Sequence, residues 1–323
     1  MFRLLVLRLT QALVVLLVMS FVIYGLIGLM PGDPIDLMIS ADPDLTPADA
    51  ARLKAIYGLD RPLLERYAAW LGTALEGDLG YSRLHARPVF EVLLPRLGNT
   101  LVLLGIAFLL TLVVALPIGT IAAVKRDSVA DYAINFVAFA GISTPPFWLA
   151  LLLIMLFAVT LGWLPAGGMG TVGVDSLADR ATYLVLPVVT LTLASVGGYT
   201  RYTRAAMGEA LAQDYVRTAW AKGAGLTRIV VRHALRNALI PIVTIIALDF
   251  GTLFSGALIT ETMFSYLGMG KLIYDSVMGN DFNVALAGLL MATFVVLVAN
   301  LLADAAYTVL DPRISFRSHE ADR

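Results

Sequence analysis

Long apolar runs separated by short polar breaks set the plan of this chain. Six runs are long enough to cross about 30 Å of hydrocarbon as helices. They are Leu9–Met30, Thr100–Val124, about Ile134 to Leu161, Tyr183–Thr200, Ala238–Thr260 and Val284–Ala303. The third is ambiguous, because residues 132–174 carry no charge and leave room for two spans. Ser143-Thr144-Pro145-Pro146 breaks that run, and Leu164-Pro165-Ala166-Gly167-Gly168 reads as an exit into a loop, which favours one proline-kinked span. The first run exceeds the roughly 7–15-residue apolar core of a cleaved signal and reads as a retained span.

The distribution of charge orients the spans. With six of them, Arg3, Arg8, Lys125, Arg126, Arg201, Arg204, Arg217, Lys222, Arg228, Arg232, Arg236, Arg313 and Arg317 share one side. The loops after spans three and five carry only Arg180 and Lys271. Basic residues mark the cytoplasmic side, so both termini are expected there, and a seventh span would turn the basic loop outward. The polar patterning then divides the chain into residues 1–32 (N-terminal tail and first span), 33–95 (external helical segment), 96–308 (spans two to six with a cytoplasmic loop at 205–237) and 309–323 (cytoplasmic tail). Within the external segment Thr46-Pro47-Ala48-Asp49 starts a helix that Gly58 ends. Pro62 opens a second helix to about Leu75, and Gly77-Asp78-Leu79-Gly80 makes a turn.

Composition agrees with an all-α polytopic membrane protein. Of 323 residues 59% are hydrophobic and 15% charged, with a mean hydropathy of +0.82. The absence of cysteine excludes disulfides and thiol chemistry. His85, His233 and His319 are too scattered for a histidine metal site or an intramembrane hydrolase. No Gly-x-x-x-x-Gly-Lys-Ser/Thr loop is present, so energy from ATP must come through another polypeptide.

The polar stretch 214–241 is the exception in an apolar chain. A helical pattern continues from span four through Lys222, with Leu211, Tyr215, Val216, Ala219 and Trp220 expected on a buried face. Gly223-Ala224-Gly225 interrupts it, and Thr227 is expected to cap a second helix. That helix carries a basic stripe of Arg228, Arg232 and Arg236 opposite Val230, Val231, Ala234 and Leu235, with Asn237 and Pro241 at the entry to span five. By residue type this is a protein-docking element or an anchor among anionic lipid headgroups, and the residues alone leave both open.

The segment resembles the cytoplasmic EAA loop of ABC importer permeases. Arg217-Thr218-Ala219 stands where that motif has Glu-Ala-Ala, Gly223 takes the glycine, and His233-Ala234-Leu235-Arg236 the closing part. Arg217, Thr218, His233 and Arg236 depart from the general motif in the manner of the dipeptide/oligopeptide permease branch. The resemblance extends through Leu59-Asp60-Arg61-Pro62, Gly77-Asp78-Leu79-Gly80, Asn99-Thr100-Leu101, Ser143-Thr144-Pro145-Pro146-Phe147-Trp148, Phe264-Ser265-Tyr266-Leu267-Gly268-Met269-Gly270 and Asp311-Pro312-Arg313. It implies a type I importer permease fold and a peptide permease in a bacterial inner membrane. Its implied partners are a homologous second permease, two ATPase subunits that bind ATP and magnesium, an extracytoplasmic binding protein, peptide and membrane lipid. No cofactor in this chain, no catalysis and no nucleic acid are implied. Tyr215, Arg217, Thr218, Ala219, Lys222, Gly223, Ala224, Arg228 and His233 become the candidate ATPase-docking residues. The branch also serves nickel, glutathione and some sugars, which leaves cargo open.

Two acids remain. Asp249, midway along span five, would cost several kcal/mol in hydrocarbon without water or a partner, so it is a candidate for the translocation path or a polar packing contact. As an ion site it would suit a stand-alone secondary transporter, although that class predicts matched helix breaks in two halves that this chain lacks. Glu261 reads as a boundary charge at the external end of span five.

Overall fold

The computed structural model describes residues 2–29 and 61–310, and of residues 2–5, 244, 247–256 and 304–310 the backbone alone. The helix expected at 46–58, the Leu59-Asp60 pair and the Asp311-Pro312-Arg313 motif lie outside the described residues. The elements are α1 (Phe2–Ile27), α2 (Leu63–Leu75), a hairpin of β1 (Tyr81–Ser82) and β2 (Arg87–Pro88), α3 (Val89–Val124), α4 (Val129–Ser143) and α5 (Pro146–Leu153). They continue with α6 (Leu177–Leu211), α7 (Asp214–Ala221), α8 (Leu226–Arg228), α9 (Leu235–Met263), α10 (Met269–Met278) and α11 (Phe282–Leu310). Wider π-helical turns at Ile154–Thr160 and Ile229–Ala234 extend α5 and α8.

Among the described residues, Val6–Ile27, Val89–Val124, Leu177–Leu211 and Phe282–Ala303 are each long and apolar enough to cross a membrane. The third expected span is a bent pair: α4 and α5 meet at 101°. The cause is local. Pro145 pushes Thr144 into extended backbone (φ −87°, ψ 121°), and Pro146 then starts α5 at a position where its missing N–H costs nothing. The expected kink is thus a sharp break. The remaining expected span falls within α9, 29 residues long. A short two-stranded hairpin and the amphipathic α10, neither anticipated from hydropathy, complete the elements.

Contacts divide the chain into two units. The first comprises residues 1–100 and 267–297. There α1 packs Ile23 and Ile27 on Ala285 and Leu286 of α11, with Tyr24 and Trp70 against the cluster. Tyr67 of α2 shares a 2.7 Å hydrogen bond with Ser20 and sits edge-on to Phe21. The hairpin is tied down by Asp281, a buried carboxylate that accepts from Ser82 Oγ at 2.6 Å and Leu84 N at 3.0 Å. Two motifs distant in sequence also meet here, since Asn99 Nδ2 donates to the Leu267 carbonyl and Met269 N donates to Thr100 Oγ1.

The second unit comprises residues 101–266 and 298–323. Its helices touch backbone to backbone where side chains are missing. A Cβ on Gly197 of α6 would lie 2.3 Å from the Ala138 carbonyl oxygen of α4, and one on Gly119 of α3 would lie 2.6 Å from Thr200 O. The loop after α5 is pinned by Gly168 N donating to the Phe264 carbonyl. Glu261 is fully buried, not a solvated boundary charge, because the chain folds back over it: Tyr266 N donates to its carbonyl. Burial pushes the Tyr266 phenol up to about 12, and the charge of Glu261 adds to the shift.

Candidate functional site

The basic elbow is built around one short helix. α6 ends at Leu211, Gln213 is extended, and α7 starts at Asp214, whose carboxylate suits the positive end of the helix dipole. The continuous helix expected through Lys222 is therefore broken at Ala212–Gln213. At the other end Ala224 N donates to Ala219 O and Gly223 N to Trp220 O. This pair of bonds, with Gly223 at φ +78°, is a Schellman termination that needs a residue tolerant of left-handed backbone. α8 then begins after Gly225, and Thr227 makes no cap.

Burial sorts the elbow into an inner and an outer face. Val216, Ala219 and Ile229 form a core with Leu211 and Ala224 packed on it. A second cluster of Met207, Ala210, Ala234, Ala238, Ile242 and Ala123 lies beneath and also receives Leu211. Tyr215 and Trp220, expected inside, are 37% and 51% exposed. Val231 is exposed as well, because the π-helical turn advances each residue less than an α-turn does and swings it off the apolar side. The outer face thus carries Tyr215, Arg217, Thr218, Trp220, Lys222 and Gly223, followed by Arg228. Ala219 points inward and supports this face from below, while Ala224 and His233 are half-buried. Arg217 and Asp214 pair at 3.2 Å in full solvent, which contributes little to stability. Arg232 and Arg236 are exposed and extend the positive charge along the same segment.

Asp131 is the residue hydropathy did not single out. It lies in the first turn of α4, where Ser128 caps the helix by accepting from its N–H. Its carboxylate receives Nε and Nη2 of Arg204, both at 2.6 Å. The readable signal was an acid at the same membrane boundary as Arg201 and Arg204, on a helix with no other charge. Arg201 stacks over the Phe139 ring at 4.3 Å. A cavity of about 650 Å³ opens between α4 and α6, lined by Asn135, Ser195, Tyr199, Arg201 and Tyr202 among others. Among the described residues no three acid or histidine side chains converge to hold a metal. Asp249 falls in α9, but its side chain lies outside the described residues.

A mainly helical chain with several membrane-length apolar helices and a compact basic elbow fits a membrane transport subunit, and comparisons with known proteins give its class. Residues 115–316 match the model of the binding-protein-dependent transport system inner membrane component, and residues 1–104 match the N-terminal model of the same kind of component. The oligopeptide transport system permease protein AppB of Bacillus subtilis is 38% identical over 96% of this chain and 98% of its own length. The dipeptide transport system permease protein DppB of Escherichia coli is 35% identical over 90% and 92%. A chain of the MetNI methionine ABC transporter, solved in an inward facing conformation, matches the fold with a TM-score of 0.56 at 18% identity, over 69% of this chain and 97% of that one.

The protein belongs to the binding-protein-dependent transport system inner membrane component family. It is a multi-pass inner-membrane permease subunit that works with other subunits, and it is not an enzyme. The alternative of a stand-alone secondary transporter is thereby set aside.

Proposed function

We propose that this chain forms half of the translocation path of a peptide importer and that its 205–237 elbow docks a cytoplasmic ATPase. The partners in this reading are a homologous permease, two ATPase subunits that bind ATP and magnesium, and an external binding protein. Peptide as cargo follows from the names of the relatives, oligopeptide for one and dipeptide for another. The observation that carries the docking role is the outer face of α7, where Tyr215 and Trp220 stand exposed among Arg217 and Lys222 on a helix closed at its C-terminal end by the turn at Gly223. Exposed aromatic and arginine side chains on a rigid support are the usual energetic anchors of a protein interface. A lipid anchor would need the arginines alone.

The topology in this reading has six spans with both termini in the cytoplasm. The α4–α5 pair then counts as one broken span. A re-entrant loop would place Arg217, Lys222, Arg228, Arg232 and Arg236 outside, against the charge bias of membrane proteins.

Replacing Trp220 with Ala, with Arg217→Ala beside it, tests the docking role. Each is expected to weaken ATPase binding about tenfold, the effect of losing an interface anchor of 1–2 kcal/mol. The measurement is retention of the ATPase subunits on the affinity-purified permease pair in detergent. Undiminished retention in both variants would sink the assignment.

A further inference from the structure

Asp131 and Arg204 are joined more firmly than an ordinary surface pair. Two hydrogen bonds of 2.6 Å link the guanidinium to both carboxylate oxygens. The Asp131 side chain is only 2% exposed. Asn135 Nδ2 donates to Oδ1 at 2.7 Å and Asp127 N to Oδ2 at 3.0 Å, so the carboxylate is braced from its own helix and from the turn before it. A bidentate, braced pair holds two backbones in one orientation, whereas a single exposed contact flexes.

Its place in the fold matters as much as its strength. Elsewhere α4 and α6 approach through backbone, at Gly197 against Ala138 O and at Gly141 against Leu193 O, and through Arg201 stacked on the Phe139 ring. Contacts of that kind set the separation of two helices but offer little resistance to sliding. The ion pair, the one such link between α4 and α6 among the described residues, does resist sliding. It also sits on the way to the elbow. Seven residues beyond Arg204, α6 ends at Leu211, and α7 follows across Ala212–Gln213.

We propose that the Asp131–Arg204 pair is the clasp that makes α4, and with it the break at Thr144–Pro145, move with α6 when α7 is displaced. This rests on the reading of α7 as the ATPase-docking helix. Both residues are positioning residues and need touch neither cargo nor ATPase. Without the clasp α6 is still pushed, but α4 slips against it. Arg201 does not replace the link, because its partner is the Phe139 ring rather than a carboxylate.

The chain has no cysteine, so a pair of spin labels can be placed cleanly. Tyr132→Cys on α4 and Leu177→Cys at the far end of α6 are both exposed positions suited to labelling. Distances are measured by pulsed electron paramagnetic resonance in the assembled importer, with and without ATP and vanadate. With the clasp intact, the distribution is expected to be the same in both nucleotide states. With Asp131→Asn it is expected to match the parent without nucleotide and to shift when ATP–vanadate is bound, with a smaller shift for Arg204→Lys.

A nucleotide-dependent change in the parent, or none in either variant, overturns the clasp. So does a distribution already altered without nucleotide, which would mean simple structural support. Should Asp131→Asn fail to assemble, Arg204→Lys alone decides. The docking reading fails separately, through undiminished ATPase retention by Trp220→Ala and Arg217→Ala, whatever the spin labels report.

Discussion

Gly223 has open space where a side chain would be, so its role is conformational rather than steric. At φ +78° an ordinary L-residue costs roughly 1–2 kcal/mol, and a β-branched one more. Gly223→Val is therefore expected to undo the Schellman end of α7 and uncouple ATP hydrolysis from uptake. Gly223→Asn, whose side chain tolerates left-handed backbone, should retain most coupling. Binding-protein-stimulated ATPase activity, compared with uptake in reconstituted vesicles, separates the two; equal behaviour would refute the backbone argument. Residue type made this glycine legible in the sequence. Asp131 was harder to see, because a charge flanking an apolar run reads as a boundary marker until its partner 73 positions away is brought beside it.

Helix existence was readable from apolar length, since crossing hydrocarbon leaves few other options. Helix ends were not. The break at Ala212–Gln213 contains no glycine or proline, and tertiary packing of Leu211 into both clusters of the elbow fixes it. Tyr215 and Trp220 flank the buried Val216 and Ala219 on a helix of only eight residues, and only that narrow stripe reaches the core. The π-helical turn Ile229–Ala234 is equally invisible to a 3.6-residue pattern, because it adds a residue without adding a turn. Deleting exposed Val231 should restore ordinary α-helix there and leave α8 and α9 in phase, because the extra residue adds no turn. The expected outcome is a permease that still inserts and still retains the ATPase in co-purification. Loss of the ATPase would show that the wide turn itself orients α7.

The absence of cysteine makes the proposed topology directly testable over the whole chain. Single cysteines in place of Leu75 and Val172, both strongly exposed, should react with a membrane-impermeant maleimide added from the external face of spheroplasts. A cysteine in place of Lys222 should react only after lysis. Labelling of Val172→Cys only after lysis would mean that α4–α5 is re-entrant. Hydropathy could not decide this, because a bent pair and a straight span have the same composition. Charge bias bears on it only through residues far along the chain, such as Arg217 and Arg228.

The length of α6 has a mechanical side. Its 35 residues reach about 52 Å at 1.5 Å each, well beyond the roughly 30 Å of a bilayer core. From Thr200, the expected end of the span, to Leu211 the helix projects about 16 Å further toward the elbow. That overhang is a lever arm. A tilt of about 10° about its root sweeps the tip through roughly 3 Å, as the geometry of a rigid helix requires. Turning the same lever at its tip lets a weak, long push from outside the bilayer deliver a stronger, shorter one at the lipid boundary. The length of α6 thus sets a gear ratio between them, and shortening it by one turn would change that ratio without touching any contact in the path.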